Sequence, residues 1–199
     1  MKLYYSPGAC SMSPHIVLAE SGVPAELVKV SLQSHKLEDG SDYYAVNSKG
    51  AVPALRLDDG SLLTEGPVIV QYIADKAPAS KLVPAHGTLE RYRVQEWLNF
   101  ITSELHKSLG ILFDKSITDD YRAAVKAKVA KRFAWIAREM GDKPYLTGDT
   151  FTVADAYLFT MLTWRDWLKL DIGPLEAYFE RVKARPKVAE VLKAEGRHH

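Results

Sequence analysis

One cysteine, Cys10, occurs among 199 residues, so the chain cannot form an intramolecular disulfide. Nothing in it calls for an oxidising compartment. No apolar run approaches the ~18 residues of a membrane span. Twenty-six basic against 25 acidic residues give a net charge of +1. That balance removes the electrostatic case for nucleic acid or an acidic membrane surface. No metal-ligand spacing, internal repeat or low-complexity tract stands out. Residues 1–8, MKLYYSPG, lack a signal-peptide apolar core, so the cytoplasm is the expected location. His198-His199 could begin a purification tag and is kept out of the argument.

What is present is ordinary globular texture, 47% hydrophobic and 26% charged. The first ~80 residues alternate strand-like and helix-like segments. Lys2 to Tyr5 reads as a strand, Ser13 to Glu20 as a helix stopped by Gly22, and Glu26 to Val30 as a second strand. Ser41 to Val46 reads as a short helical turn. Ala54 to Leu57 and Ser61 to Thr64 flank Asp58-Asp59-Gly60, a hairpin signal, and Glu65 to Lys76 has helical spacing. The order βαβαββα predicts a mixed four-stranded sheet with helices on its faces. Pro78 and Pro84 punctuate a linker, after which only helical patterns occur: Leu89 to Phe113, Tyr121 to Met140, Phe151 to Leu168, Gly173 to Ala184 and Lys187 to Ala194. The expected division is 1–78, an α/β domain; 79–87, a linker; and 88–199, an all-α helical bundle. Thr152 and Asp155 fit a capping box at the start of a helix apolar almost all round.

Cys10 falls between the first strand and first helix, where backbone N–H groups favour a thiolate. Cys10-Ser11-Met12-Ser13 is a C-x-x-S arrangement, so any disulfide must form with an external thiol. Thioredoxin-like proteins place their reactive cysteine at this point. Val52-Pro53 enters the third strand, and a cis proline there would leave the Val52 backbone to pair with an extended peptide. Glu65-Gly66 opens a helix whose amides can hold a carboxylate, while Glu65 can pair with an ammonium. On the first long helix Asn99, Ser103 and either His106 or Lys107 share a face by spacing, with Glu104 beside them. Tyr5 could donate a hydrogen bond near Cys10, although core packing fits it better.

Pro7-Gly8-Ala9-Cys10-Ser11, Asn47 to Leu55, Leu63 to Gly66, Glu96 to Asn99, Glu104 to Lys107 and Phe151 to Phe159 together resemble the bacterial beta class of cytosolic glutathione S-transferases along the whole chain. The resemblance implies a thioredoxin-like N-terminal domain, a helical C-terminal domain, a homodimer, and conjugation of the glutathione thiol to electrophiles. By position it implies Cys10 at the glutathione sulfur and Val52 with Pro53 at its cysteinyl backbone. Glu65 and Gly66 fall at its γ-glutamyl end. Asn99, Ser103, Glu104 and His106 complete the site, some from a partner subunit. His106, Lys107 and Trp164 face the electrophile, with Tyr5 nearby. Ala51 and His35 depart from the family's glutamine and lysine. A histidine is only partly charged at neutral pH, so weaker glutathione binding, or a role for Lys36, is expected. Two alternatives keep the fold: a glutaredoxin-like oxidoreductase using Cys10, and a non-catalytic binding protein.

Overall fold

The computed structural model describes residues 1–197; His198 and His199 lie outside the described residues. The chain forms two compact units, Met1–Val83 with the segment from Pro186 on, and Pro84–Arg185.

The first unit is built on a sheet of order β3-β2-β1-β4-β5, from β1 (Lys2–Tyr5), β2 (Glu26–Ser31), β3 (Lys36–Leu37), β4 (Ala54–Arg56) and β5 (Leu62–Thr64). β1 runs parallel to β2, with Leu3 opposite Leu27, and antiparallel to β4, with Leu3 opposite Leu55. The helix α1 (Met12–Ser21) supplies the crossover that a parallel pair requires. Gly22, at φ 71°, closes it by bonding back to the Leu18 carbonyl. α2 (Gly66–Asp75) packs against α1, and Leu3, Ile16, Leu55, Ile69 and Ile73 between sheet and helices are fully buried.

The sheet has five strands rather than the four expected. β3 is only two residues long, paired antiparallel to β2, and too short for an alternation to show in the sequence. The turn expected at Ser41 to Val46 is a single 3₁₀ turn, Tyr43–Ala45, capped by the Asp42 side chain.

α9 (Pro186–Ala194) was expected in the helical domain, yet it packs on α1 and belongs to the first unit. Its amphipathic face buries Val188 and Val191. Just beyond it, the Glu195 carboxylate accepts the Gly8 N–H at 2.7 Å and meets His15 Nδ1 at 2.8 Å. Glu195→Ala removes both bonds inside the fold, so a loss of about 2–4 kcal/mol is expected in urea unfolding. Glu195→Gln offers an oxygen to Gly8 and an N–H to His15, so it should recover most of that stability. Equal losses in the two variants would show that the hydrogen bonds are not what matters.

The second unit is helical. α3 (Leu89–Phe100) continues through a π-helical turn, Ile101–His106, into α4 (Lys107–Ile111). α5 (Asp119–Met140) buries Val125, Val129, Phe133 and Ile136, the stripe read from the sequence. Every residue of α6 (Val153–Leu162) is buried, so the unit is built around it. Thr152 and Asp155 form its capping box: the Thr152 amide donates to Asp155 Oδ2 at 2.9 Å.

The helix expected from Phe151 to Leu168 is broken. α6 stops at Leu162, and α7 (Arg165–Leu168) is a separate short turn. Thr160 and Thr163 hydroxyls donate back to the carbonyls of Ala156 and Thr160, at 2.8 and 2.7 Å, which competes with regular helix bonding. α8 (Glu176–Lys183) completes the unit, its Phe179 stacked on Phe159 at 5.0 Å. Pro186, expected as a separator, is instead the first residue of α9, where its missing N–H costs nothing. No helix among the described residues is long and apolar enough to cross a membrane.

Candidate active site

In the first unit the loop 6–11 folds on itself. The Ser6 amide donates to Ser11 Oγ at 3.0 Å, Ser11 Oγ donates back to the Ser6 carbonyl at 3.2 Å, and the Ala9 amide bonds the same carbonyl. This places Cys10 two residues before α1, with its thiol donating to the Val52 carbonyl at 3.2 Å. The Val52-Pro53 bond is cis, as expected from its place in the chain. The preceding loop is pinned by Tyr43 Oη and Asn47 Nδ2, which both donate to the Ala51 carbonyl, at 2.9 and 2.8 Å. Among the described residues the Val52 amide makes no hydrogen bond.

The thiol is not activated as the sequence suggested. Burial pushes Cys10 up to about 12, against a smaller downward pull from the amides of Cys10 and Ser11. The nearby Glu65 carboxylate adds to the rise. Helix-start amides alone predicted a depressed value; the part-buried thiol donates to a carbonyl, and the loss of solvation outweighs the amides.

Glu65, at φ 71°, precedes α2 and exposes its carboxylate, which pairs with Lys49 Nζ at 2.6 Å. The helix start offers less than expected: Pro67 carries no N–H and the Val68 amide bonds the Glu65 carbonyl, which leaves the Gly66 amide. A Cβ on Gly66 would stand 3.7 Å from Pro53 Cγ, so Cys10, Val52, Pro53 and Gly66 are neighbours. His35 stands apart on the β2–β3 loop, its ring 4.7 Å from that of Tyr44 and its Nδ1 enclosed with no hydrogen-bond partner among the described residues. Gly50 permits that arrangement: a Cβ there would lie 2.5 Å from Tyr44 Cε1. Tyr5 packs edge-on against His15, and burial raises its phenol.

In the second unit the π turn carries Ser103, Glu104 and His106. A π turn inserts extra backbone per revolution, so the i, i+4 face read from the sequence does not continue through it. Asn99, Ser103 and Lys107 are exposed, while His106 is half-buried. Glu104 is engaged by Arg132 at 2.7 Å and Lys128 at 3.7 Å. The hydrogen bond from Arg132 holds its carboxyl below the usual range. His106 Nδ1 lies 2.6 Å from Tyr157 Oη, and the imidazole stands edge-on to Trp164 at 5.3 Å. The sequence reading missed His15, Tyr43, Asn47, Tyr157 and Glu195. Of these Asn47 and Tyr157 lay inside motifs already singled out, without a role of their own. No group of three or more His, Cys, Asp or Glu side chains among the described residues could hold a metal ion.

Residues 8–76 match the family model of the glutathione S-transferase N-terminal domain, and residues 119–194 that of the C-terminal domain. Glutathione S-transferase GstA of Escherichia coli O157:H7 is 46% identical over 98% of this chain and 99% of its own. The chain belongs to the glutathione S-transferase family. BphK, a bacterial glutathione S-transferase solved as a ternary complex, superposes with a TM-score of 0.96 at 51% identity, covering 98% of this chain and 100% of that one. The beta-class glutathione S-transferase of Sphingomonas chungbukensis does so at 0.94 and 45%, covering 99% and 100%. This transferase therefore sits with the bacterial beta class, and its sheet and helical units are the two halves of that family's fold.

Proposed function

We propose that this transferase binds glutathione along the edge formed by Cys10, Val52, Glu65 and Gly66 and conjugates its sulfur to electrophilic, mostly apolar substrates. The observation that carries the reading is the unengaged Val52 amide beside the Cys10 thiol, both held by the pinned loop before Pro53. An extended tripeptide can pair with such a backbone edge as an added strand. The Gly66 amide suits the γ-glutamyl carboxylate and Glu65 its ammonium. His35 or Lys36 serves the glycyl end. Asn99, Ser103, Glu104 and His106 serve the same ligand. Lys107, Trp164 and Tyr5 serve the electrophile.

A neutral Cys10 fits this chemistry better than an ionised one. Its S–H can turn from the Val52 carbonyl to a glutathione thiolate and stabilise it, where a second anion would repel it. The thiolate attacks the electrophilic carbon, a carbon–sulfur bond forms, and the leaving group departs with its electron pair. We further propose that the enzyme works as a homodimer in the cytoplasm.

Retention on immobilised glutathione, followed by a screen of electrophiles on the eluted protein, tests the reading. Elution by free glutathione and formation of a thioether product are expected. A protein that neither binds glutathione in calorimetry nor forms a thioether is a binding module of another kind.

A further inference from the structure

Glu65 stands at φ 71° and ψ 111°, a conformation that residues with a side chain rarely adopt. Its carbonyl accepts the Val68 and Ile69 amides, both at 3.0 Å, so the first turn of α2 fixes its backbone. Its carboxylate is near enough to Cys10 to act on the thiol. In the free protein that carboxylate is already taken. Lys49 Nζ donates to Glu65 Oε1 at 2.6 Å and to Thr64 Oγ1 at 3.2 Å. No other cation among the described residues pairs with Glu65.

The loop that carries Lys49 does not depend on this contact. The Lys49 amide donates to Asn47 Oδ1 at 3.2 Å, and the Gly50 amide to the Asn47 carbonyl at 2.8 Å. Asn47 Nδ2 donates to the Ala51 carbonyl at 2.8 Å. Buried Asn47 therefore holds the backbone, and the flexible Lys49 stem reaches Glu65 on its own. The two side chains are 55% and 63% exposed. Such a pair is weak in water and exchanges readily.

A γ-glutamyl group carries a primary ammonium, the same chemical group as Lys49 Nζ, with three N–H donors and one positive charge. A carboxylate oxygen with a hydroxyl oxygen beside it suits either. Two ammonium groups at one carboxylate repel each other. We infer that Lys49 is an internal stand-in for the substrate's ammonium, occupying the Glu65–Thr64 subsite in the free enzyme until glutathione displaces it. The inference rests on the reading that Glu65 takes the γ-glutamyl ammonium. Lys49 then limits the affinity for glutathione and makes the exchange specific. A ligand with an ammonium at that end replaces Lys49, and a ligand without one leaves it in place.

Calorimetry on the full-length protein tests this with two ligands, glutathione and glutaryl-cysteinylglycine, which lacks only that ammonium. Lys49→Met keeps an apolar stem, removes the charge and leaves the Asn47 bonds intact. It should bind glutathione about two- to fivefold more tightly than the wild type, and the analogue no more tightly. Comparing two ligands across two proteins separates the exchange from any change in the loop. Glutathione bound equally or more weakly by Lys49→Met overturns the inference, and so does an equal gain for both ligands. Glu65→Gln checks the reading beneath it. If that variant loses glutathione about tenfold while Lys49→Met gains nothing, the exchange is removed and the γ-glutamyl subsite stands. Unchanged binding in Glu65→Gln removes both.

Discussion

Asp155→Ala is expected to destabilise the protein by about 4 kcal/mol, lowering the thermal midpoint by about 8–16 °C for a chain of this size. The Asp155 side chain is fully buried and accepts four hydrogen bonds. Leu146 N–H and Tyr178 O–H reach Oδ1 at 2.9 and 3.0 Å, and the Thr152 amide and hydroxyl reach Oδ2 at 2.9 and 3.0 Å. Removing the carboxyl leaves two buried amides without acceptors, at about 1–3 kcal/mol each, and opens a void. It also unties the loop at Leu146 from the start of α6. Asp155→Asn should do little better. Its amide nitrogen must face either the Leu146 or the Thr152 N–H, donor against donor, whichever way it is flipped. Burial raises the Asp155 carboxyl despite these donors, and it raises the Tyr178 phenol well above its ordinary value. The site therefore holds a carboxyl under strong desolvation because its partners demand an acceptor. Urea unfolding followed by circular dichroism measures the effect. A loss under about 1 kcal/mol in Asp155→Ala would mean that water replaces the carboxyl and the box does not brace the unit.

The helical stripe of α5, the Asp-Gly hairpin and the Gly22 stop were legible because each is set by local sequence: a 3.6-residue period, a turn dipeptide, a left-handed cap. Cys10, Val52, Pro53 and Gly66 were legible as neighbours only through their order in a recognisable βα and ββα frame. What escaped the reading was non-local or off-period. β3 depends on pairing with β2, and no two-residue strand announces itself. The π turn at Ile101–His106 changes the register without any proline or glycine to mark it. Glu195 and His15 are 180 positions apart, and each alone reads as a surface residue and a core histidine. Tyr157 sits in a helix apolar all round, where one more aromatic residue looks like packing. The Cys10 thiol was misjudged for a related reason. The helix start is visible in the sequence, while the partial burial that outweighs it is a product of tertiary packing.

Partial burial beside a carbonyl acceptor is expected to make Cys10 a poor nucleophile in the free protein. With the thiol raised to about 12 by burial, the thiolate fraction at pH 8 is on the order of 10⁻⁴. An ordinary cysteine near 8.5 would be about one-quarter ionised. Alkylation of native Cys10 by iodoacetamide should therefore run about 10³-fold slower than in the same protein unfolded in urea. Its rate should rise about tenfold per pH unit through pH 9 with no plateau. The linkage has a definite sign. The folded state favours the neutral thiol, so this contribution to stability is present below about pH 8.5 and is lost as pH climbs toward 12. The result also separates the two chemistries open to the fold. Thiol–disulfide exchange led by Cys10 requires its thiolate, whereas conjugation requires that of glutathione. Cys10→Ala should accordingly abolish any slow glutathionylation of the protein, while conjugation is lowered by the loss of one donor to the glutathione thiolate but not abolished. Rapid labelling at neutral pH, with a plateau near pH 7, would instead mark Cys10 as an activated nucleophile and return the oxidoreductase reading to first place.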